Sequence, residues 1–361
     1  MRICFIAPAN NYHTKKWAQW FIKNNHEVHI ISFLDAQIEG VMVHYINTGI
    51  DVAENDKRKL VYLLYSRKVR KIIKSINPDI INAHYATSYG TVTALAGIHP
   101  YVLSVWGSDI YEFPNKSWAH KKLLKYSLKK ADYLFSTSKA MADEASKYTN
   151  HSFEITPFGV DMELFNRSKR SRQNDDRFVI GTVKGLSYKY GIDTLLKGAA
   201  IVNQEHPEYN LEVRIAGRGK DEYQLKELAK ELKIDTIVRW LGFISQEDAA
   251  VEWANMDIGI VVSSSSESFG VSAVECQASN VPVIISDVPG LEEATFPNES
   301  SLVIRREDAR ELADLIIKLY NNSKMRFEMG QCGRQYVEKY FEINKCFISV
   351  ENIFKSIIKG K

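Results

Sequence analysis

The run VVSSSSESFGVSAVECQASNVPVIISDVPG, residues 261–290, changes local structure three times in quick succession. It opens as the end of an apolar strand and passes through a loop of small residues. A helix is expected to begin around Gly270, and a second strand spans Val281–Ser286 before Pro289-Gly290 breaks the chain. Unpaired backbone N–H groups at a helix start attract anions, and a glycine there admits a ligand close to the backbone. Glu267 stands just before this helix, within reach of a sugar hydroxyl. Glu275 lies about one and a half turns further in, where a carboxylate accepts hydrogen bonds from a ribose diol. A plain N-cap followed by a helical ion pair is the competing reading. The co-occurrence of Gly270, both glutamates and the following strand argues against it.

Working outward, the same alternation of strand and helix fills the chain. Strands are expected at Ile3–Ala7, Glu27–Phe33, Ile80–Ala83, Tyr101–Trp106 and Tyr133–Thr137. Helices near 14–24, 57–76, 87–97, 116–130 and 139–147 separate them. The series then restarts with strands at Phe178–Val183, Leu211–Ala216, Thr236–Leu241, Ile258–Val262 and Val281–Ser286. Short apolar strands between amphipathic helices predict parallel sheets covered on both faces, and two series predict two doubly wound α/β domains. The join falls near residues 157–177, where 168–177 is polar and without periodicity. The expected domains are 1–165 and 166–339, with a terminal helix at about 340–361 that packs back on the first.

The 361 residues suit two domains, and 45% hydrophobic with 25% charged residues is a globular composition. Met1-Arg2 runs straight into a buried-strand pattern, not a signal peptide, and no apolar run is long enough to span a bilayer. Four scattered cysteines, without metal spacing, suit a reducing compartment; the expected location is cytoplasmic, or peripheral at the inner face of the membrane. Residues 1–170 carry 23 Lys and Arg against 15 Asp and Glu, so the first half is the basic one. Arg67, Arg70, Lys71 and Lys74 share one helical face, and Lys121, Lys122, Lys125 and Lys129 another. Such stripes are ordinarily solvated faces. Two in one domain point to an anionic membrane surface or a diphosphate-linked acceptor, and no motif points to nucleic acid.

The segment 261–290 resembles the E-x7-E signature of the retaining glycosyltransferase family 4, whose fold is GT-B. Four further segments extend the resemblance in the same order. Ile155-Thr156-Pro157-Phe158-Gly159-Val160-Asp161, with Phe165 after it, is similar to the family's inter-domain sequence. Ile215-Ala216-Gly217-Arg218-Gly219 is similar to its hydrophobic–G-x-G strand end, and Val238-Arg239-Trp240-Leu241-Gly242-Phe243 to the segment lining the nucleobase pocket. The first strand of the second domain, Gly181-Thr182-Val183-Lys184, completes the set. The resemblance implies two Rossmann-like domains facing across a cleft, with a nucleotide-sugar donor as co-substrate and no cofactor or metal.

Residue by residue, the resemblance implies that Glu267 holds the donor sugar and Glu275 the ribose. Backbone groups of Ser268, Phe269, Gly270, Val271 and Ser272 take the diphosphate, while Gly217, Gly242 and Phe243 border the nucleotide. Lys184 fits the first of the family's two basic positions beside the leaving phosphates. At the second the chain has Tyr190, with Lys189 one place earlier, so one of these two fills the role. The first domain departs further. Pro8-Ala9-Asn10-Asn11-Tyr12-His13 stands where the family has a Gly-Gly pair, and Trp106 replaces the usual histidine. Asp109, His84, His13 and Asn11 are the local candidates to meet the donor sugar in its place.

The implied reaction is retaining transfer of a hexose or N-acetylhexosamine, with UDP as the expected nucleotide, to a hydroxyl of a glycan or polyprenyl-diphosphate-linked acceptor in envelope polysaccharide synthesis. A soluble small-molecule acceptor and a sugar-nucleotide epimerase of the same shape are the alternatives. A nicotinamide-dependent oxidoreductase is disfavoured because residues 8–13 contain no glycine. An exported sugar-binding protein would require a leader.

Overall fold

The computed structural model describes residues 1–49, 58–172 and 176–360, with only the backbone of Arg58. Two compact units emerge: Met1–Phe158 together with Cys346–Lys361, and Gly159–Lys345.

The first unit holds a parallel sheet of β1 (Arg2–Ile6), β2 (Glu27–Ser32), β3 (Met42–Tyr45), β4 (Ile80–His84), β5 (Val102–Val105), β6 (Tyr133–Ser136) and β7 (Phe153–Ile155). Their order is β3-β2-β1-β4-β5-β6-β7. The central strands are almost wholly buried, as continuous apolar runs covered on both faces must be. Helices α1 (Tyr12–Lys23), α2 (Ser66–Ile76), α3 (Ser88–Ala96), α4 (Ser108–Tyr111), α5 (Trp118–Lys130) and α6 (Lys139–Ala145) connect them. Asn11 begins α1 by accepting the N–H groups of His13 and Thr14.

The second unit repeats the plan with β8 (Phe178–Val183), β9 (Leu211–Ala216), β10 (Val238–Gly242), β11 (Ile258–Val261), β12 (Val283–Ser286) and β13 (Ser301–Ile304), in the order β10-β9-β8-β11-β12-β13. Its helices are α7 (Ile192–Glu205), α8 (Glu222–Glu231), α9 (Gln246–Asn255), α10 (Val271–Ala278), α11 (Pro289–Glu293), α12 (Ala309–Tyr320) and α13 (Ser323–Tyr340), followed by α14 (Ile343–Lys359). Each unit has its own apolar core. From Cys346 onward α14 belongs to the first unit: Phe347 stacks on Trp20, Phe354 stacks on Phe21, and His26 Nε2 lies 2.9 Å from Glu351 Oε1.

The two doubly wound domains expected from the strand pattern are present. Three strands escaped the sequence reading: β3, β7 and β13, each of three or four residues and the outermost or an added member of its sheet. The helix expected over 57–76 divides into a 3-10 stretch at Arg58–Tyr65 and α2, with residue 57 outside the described residues. The polar stretch read as a linker is tied down in its described part. Ser171 and Arg172 donate backbone N–H bonds to Asn255 Oδ1, and Arg172 Nη2 reaches Asp257 Oδ2 at 2.9 Å. Residues 173–175 of it lie outside the described residues.

Candidate functional site

A parallel sheet has a natural binding crevice where successive connections leave in opposite directions, at the carboxyl ends of the two strands involved. In the second unit those strands are β8 and β11. The loop after β8 supplies Lys184 and the loop after β11 supplies Ser263 to Gly270. Lys184 Nζ lies 2.6 Å from Glu267 Oε1, and the Ser263 hydroxyl donates to the same oxygen at 2.6 Å. Both charged side chains are about nine-tenths shielded from water, so the pair is held in a low-dielectric setting. The ring of Tyr190 has two ammonium groups near it, Lys184 Nζ at 4.8 Å and Lys189 Nζ at 5.7 Å from its centre. Cation–π attraction holds both amines near it.

Gly270 caps α10 at φ +74°, a left-handed backbone, and a Cβ there would lie 2.9 Å from the Leu291 side chain. The chain therefore turns abruptly into the helix. The amides of Val271 and Ser272 precede the first intrahelical hydrogen bonds, and the dipole of α10 ends there. Ser272 Oγ donates to Val183 O at 2.8 Å, tying this helix start to the end of β8 beside Lys184. Gly217, at φ +143°, lets the end of β9 pass so close that a Cβ would fall 1.9 Å from Lys184 O. Its N–H donates to Gly242 O at 2.7 Å, joining the ends of β9 and β10.

The other sequence candidates in this unit are distributed around the same strand ends. Glu275 is buried on α10. Phe269 is buried edge-to-face against Phe341, 5.1 Å between rings. Ser268 and Val271 are half-buried, and Phe243, just beyond β10, is 74% exposed. Ser263 was not singled out in the sequence. The signal was its place as the first polar residue after an apolar strand, four before Glu267.

In the first unit the switch lies between β1 and β4. Asp109 is buried and its carboxylate accepts three backbone N–H groups: Oδ2 takes that of Ala86 at 2.8 Å, and Oδ1 takes those of Gly107 at 2.8 Å and Trp106 at 3.2 Å. Burial pushes its pKa up, and these N–H bonds pull the other way. Its geometry is that of a residue organising the loops after β4 and β5. His84 is fully buried, with Nε2 3.0 Å from Asn82 Oδ1 and its ring packed on Trp106, Phe5 and Trp17. His13 stacks on Phe158 at 3.9 Å. Burial lowers both imidazole pKa values to about 3, so both rings are neutral. Asn11 caps α1 and bonds to Tyr85, which sits at φ +66° in the left-handed region.

A cavity of about 550 Å³ opens at this switch. The chain after β1 (Pro8, Asn10, Asn11, Tyr12) and after β4 (Tyr85, Thr87, Ser88, Tyr89) forms two of its walls, and Asp109 and Ser108 lie beside them. The sequence reading named Asn11 and Asp109, and quoted Pro8, Asn10 and Tyr12 within the segment 8–13, but did not single out Tyr85, Thr87, Ser88, Tyr89 or Ser108. These come from other connections, and no motif links them.

Two Rossmann-like units, with parallel sheets of seven and six strands, have the architecture of the GT-B fold. The comparisons agree. The family model described as "Glycosyl transferase 4-like" matches residues 2–138, and that described as "Glycosyl transferases group 1" matches residues 165–336. The chain is 27% identical to a D-inositol 3-phosphate glycosyltransferase of Pseudarthrobacter chlorophenolicus, over 81% of this chain and 76% of that protein. It is 25% identical to an uncharacterized glycosyltransferase of Methanocaldococcus jannaschii, over 92% and 90%. Among solved structures, sucrose-phosphate synthase from Thermosynechococcus elongatus superposes with a TM-score of 0.86 at 17% identity, covering all of both chains. Anabaena HepE, solved with UDP and glucose, gives 0.81 at 15%, covering 99% of this chain and all of that one. The chain belongs to the GT4-like glycosyltransferases of GT-B fold.

Proposed function

We propose that this enzyme transfers a hexose or N-acetylhexosamine from a UDP-sugar, with retention, to a hydroxyl of a glycan or lipid-linked saccharide. The observation that carries the reading is Lys184 against Glu267 beside the start of α10. Departure of a nucleoside diphosphate builds negative charge on phosphate, and a fixed ammonium with aligned N–H dipoles stabilises that charge. In this reading Lys184 is the leaving-group cation, with Tyr190 and Lys189 flanking it. The amides around Gly270 hold the diphosphate, Glu275 the ribose and Glu267 the donor sugar. UDP as the nucleotide is supported by HepE, a protein of the same fold solved with UDP.

Retention is read through front-face attack: Glu267 is ion-paired and bonded to Ser263, a state suited to orienting a sugar hydroxyl and not to acting as a nucleophile. Lys184 supplies the cation that a metal provides elsewhere, so the reaction proceeds in EDTA. The acceptor side is assigned to the first unit. Its basic stripes, with Arg67, Arg70, Lys71, Lys74, Lys121, Lys122, Lys125 and Lys129 all exposed, favour an anionic membrane surface and a membrane-borne acceptor in envelope polysaccharide synthesis. No described helix is long and apolar enough to cross a membrane. A soluble phosphorylated acceptor is the second reading, favoured by the inositol phosphate in the names of the relatives.

A thermal-shift panel of UDP, GDP, ADP and their sugars tests the donor. NMR of the product's anomeric proton, with and without EDTA, tests retention and metal independence. Stabilisation by none of the nucleotides removes the proposal. Sugar nucleotide rearranged with no acceptor consumed would identify an epimerase instead.

A further inference from the structure

The two donors that share one carboxylate oxygen of Glu267 differ in how freely they turn. Ser263, just past β11, is fully buried, and its carbonyl accepts the Ser286 hydroxyl at 2.6 Å. The next residue, Ser264, donates its N–H to Lys189 O at 3.0 Å. Glu267 is pinned as well, because Gly290 passes so close that a Cβ there would fall 2.2 Å from Glu267 O. The Ser263 hydroxyl is therefore a fixed donor to a fixed carboxylate. Lys184 reaches the same oxygen on a flexible stem, with an ammonium that carries more than one N–H. The Tyr190 ring, 4.8 Å from Nζ, keeps that ammonium near by an attraction that does not prescribe where its N–H groups point. The ammonium can turn without travelling.

A phosphate that takes the ammonium leaves a mostly buried carboxylate without its counter-charge, and stranding one member of such a pair is costly. A second donor on the same oxygen lowers that cost. We infer that Lys184 changes partner when a diphosphate binds, turning from Glu267 to phosphate, and that Ser263 is the positioning residue that keeps the Glu267 oxygen hydrogen-bonded meanwhile. The inference rests on the reading of Lys184 as the cation for the leaving diphosphate. It gives Ser263 an effect on donor affinity that acts through Glu267, without contact with the donor. Only hydrogen bonds are reassigned; no covalent bond changes.

Calorimetric titration of UDP into the wild type, Ser263→Ala, Glu267→Gln and the double variant tests this. Ser263→Ala should weaken UDP by about tenfold or more, because the departing ammonium then leaves a carboxylate that lacks the serine's hydrogen bond. Glu267→Gln removes the charge that competes for Lys184 and should bind UDP at least as tightly as the wild type. In the Glu267→Gln background the same Ser263→Ala change should alter affinity by less than about twofold. A serine that merely supports its loop would weaken UDP equally in both backgrounds, and that result overturns the inference. Wild-type affinity in Ser263→Ala, or weaker UDP binding by Glu267→Gln, also overturns it. If the alanine variant does not fold, Ser263→Cys takes its place in the same cycle, with similar size and a weaker donor. Absence of UDP binding by the folded wild type removes the reading of Lys184 as donor cation, and the exchange with it. Binding with equal losses in both backgrounds sinks the exchange alone.

Discussion

Lys184 and Glu267 come from loops after adjacent strands of one sheet, and a single carboxylate oxygen of Glu267 takes both the Lys184 ammonium and the Ser263 hydroxyl. The pair is positioned by the switch in strand order and not by nearness in sequence. A mostly buried pair of this kind contributes little net stability, because desolvation offsets the attraction, but losing one partner strands the other. Its value therefore lies in orientation. Lys184 is fixed beside a helix start, and Glu267 keeps its second oxygen available for another donor.

Removing either member should cost catalysis more than binding. Glu267→Gln keeps the shape and loses the charge, and Lys184→Ala removes the cation. Each is expected to lower kcat by about 10²–10³. KM for the donor should change far less for Glu267→Gln, and circular dichroism should be unaltered. Near-native kcat in Glu267→Gln would remove this residue from the site.

Gly217 offers a test that touches no charged group. Any Cβ there would overlap Lys184 O, and φ +143° is foreign to other residues. Gly217→Ala should lower stability by more than about 1 kcal/mol and displace the backbone that carries Lys184. Chemical denaturation and kcat, measured on the same sample, should fall together. Retained stability with full activity would show that the close approach is not needed.

The fold was largely legible because the central strands are uninterrupted apolar runs. Cys4 to Ile6 and Ile258 to Val261 allow no other element of that length between turn signals. What escaped was the periphery. Met42–Tyr45 is only partly buried, so its pattern resembles a loop, and Phe153–Ile155 is too short to show a period. The second unit's candidate site was legible because Glu267, Gly270 and Glu275 lie in one strand–loop–helix segment. The first unit's cavity was not: its walls come from several connections and meet only through the sheet order. His84 is enclosed by aromatic rings and Asp109 accepts amides from two loops, surroundings that depend on the sheet order and leave no mark in the local sequence.

Asp109→Asn separates organisation from ligand contact. The carboxylate takes three backbone N–H bonds from two loops, and an amide has only one oxygen to offer. At least the Ala86 or the Gly107 and Trp106 donors lose their acceptor, at a cost of about 1–3 kcal/mol. Thermal unfolding should move down accordingly, since the Ala86, Trp106 and Gly107 amides lie on the two loops that this carboxylate joins. Unchanged unfolding with altered donor affinity would instead place Asp109 in direct contact with substrate.

His84 and His13 make a prediction about pH. Burial lowers both from the ordinary 6.5 to about 3, with the neighbouring His13 adding to the effect at His84 and Lys16 at His13. Between those two values the unfolded chain binds protons that the folded chain refuses. Stability is therefore fully held above about 6.5 and falls as the pH drops toward 3. At pH 5 the loss is about 2 kcal/mol for each ring. Urea unfolding at pH 7.5 and pH 5 should show that fall in the wild type and a smaller one in His84→Phe, which removes one titrating ring and keeps an aromatic against Trp17 and Trp106. Neither ring should place an inflection in the activity profile between pH 6 and 8, because neither changes charge there. A histidine-like inflection lost in His84→Phe would mean that this imidazole is open to solvent and takes part in the reaction.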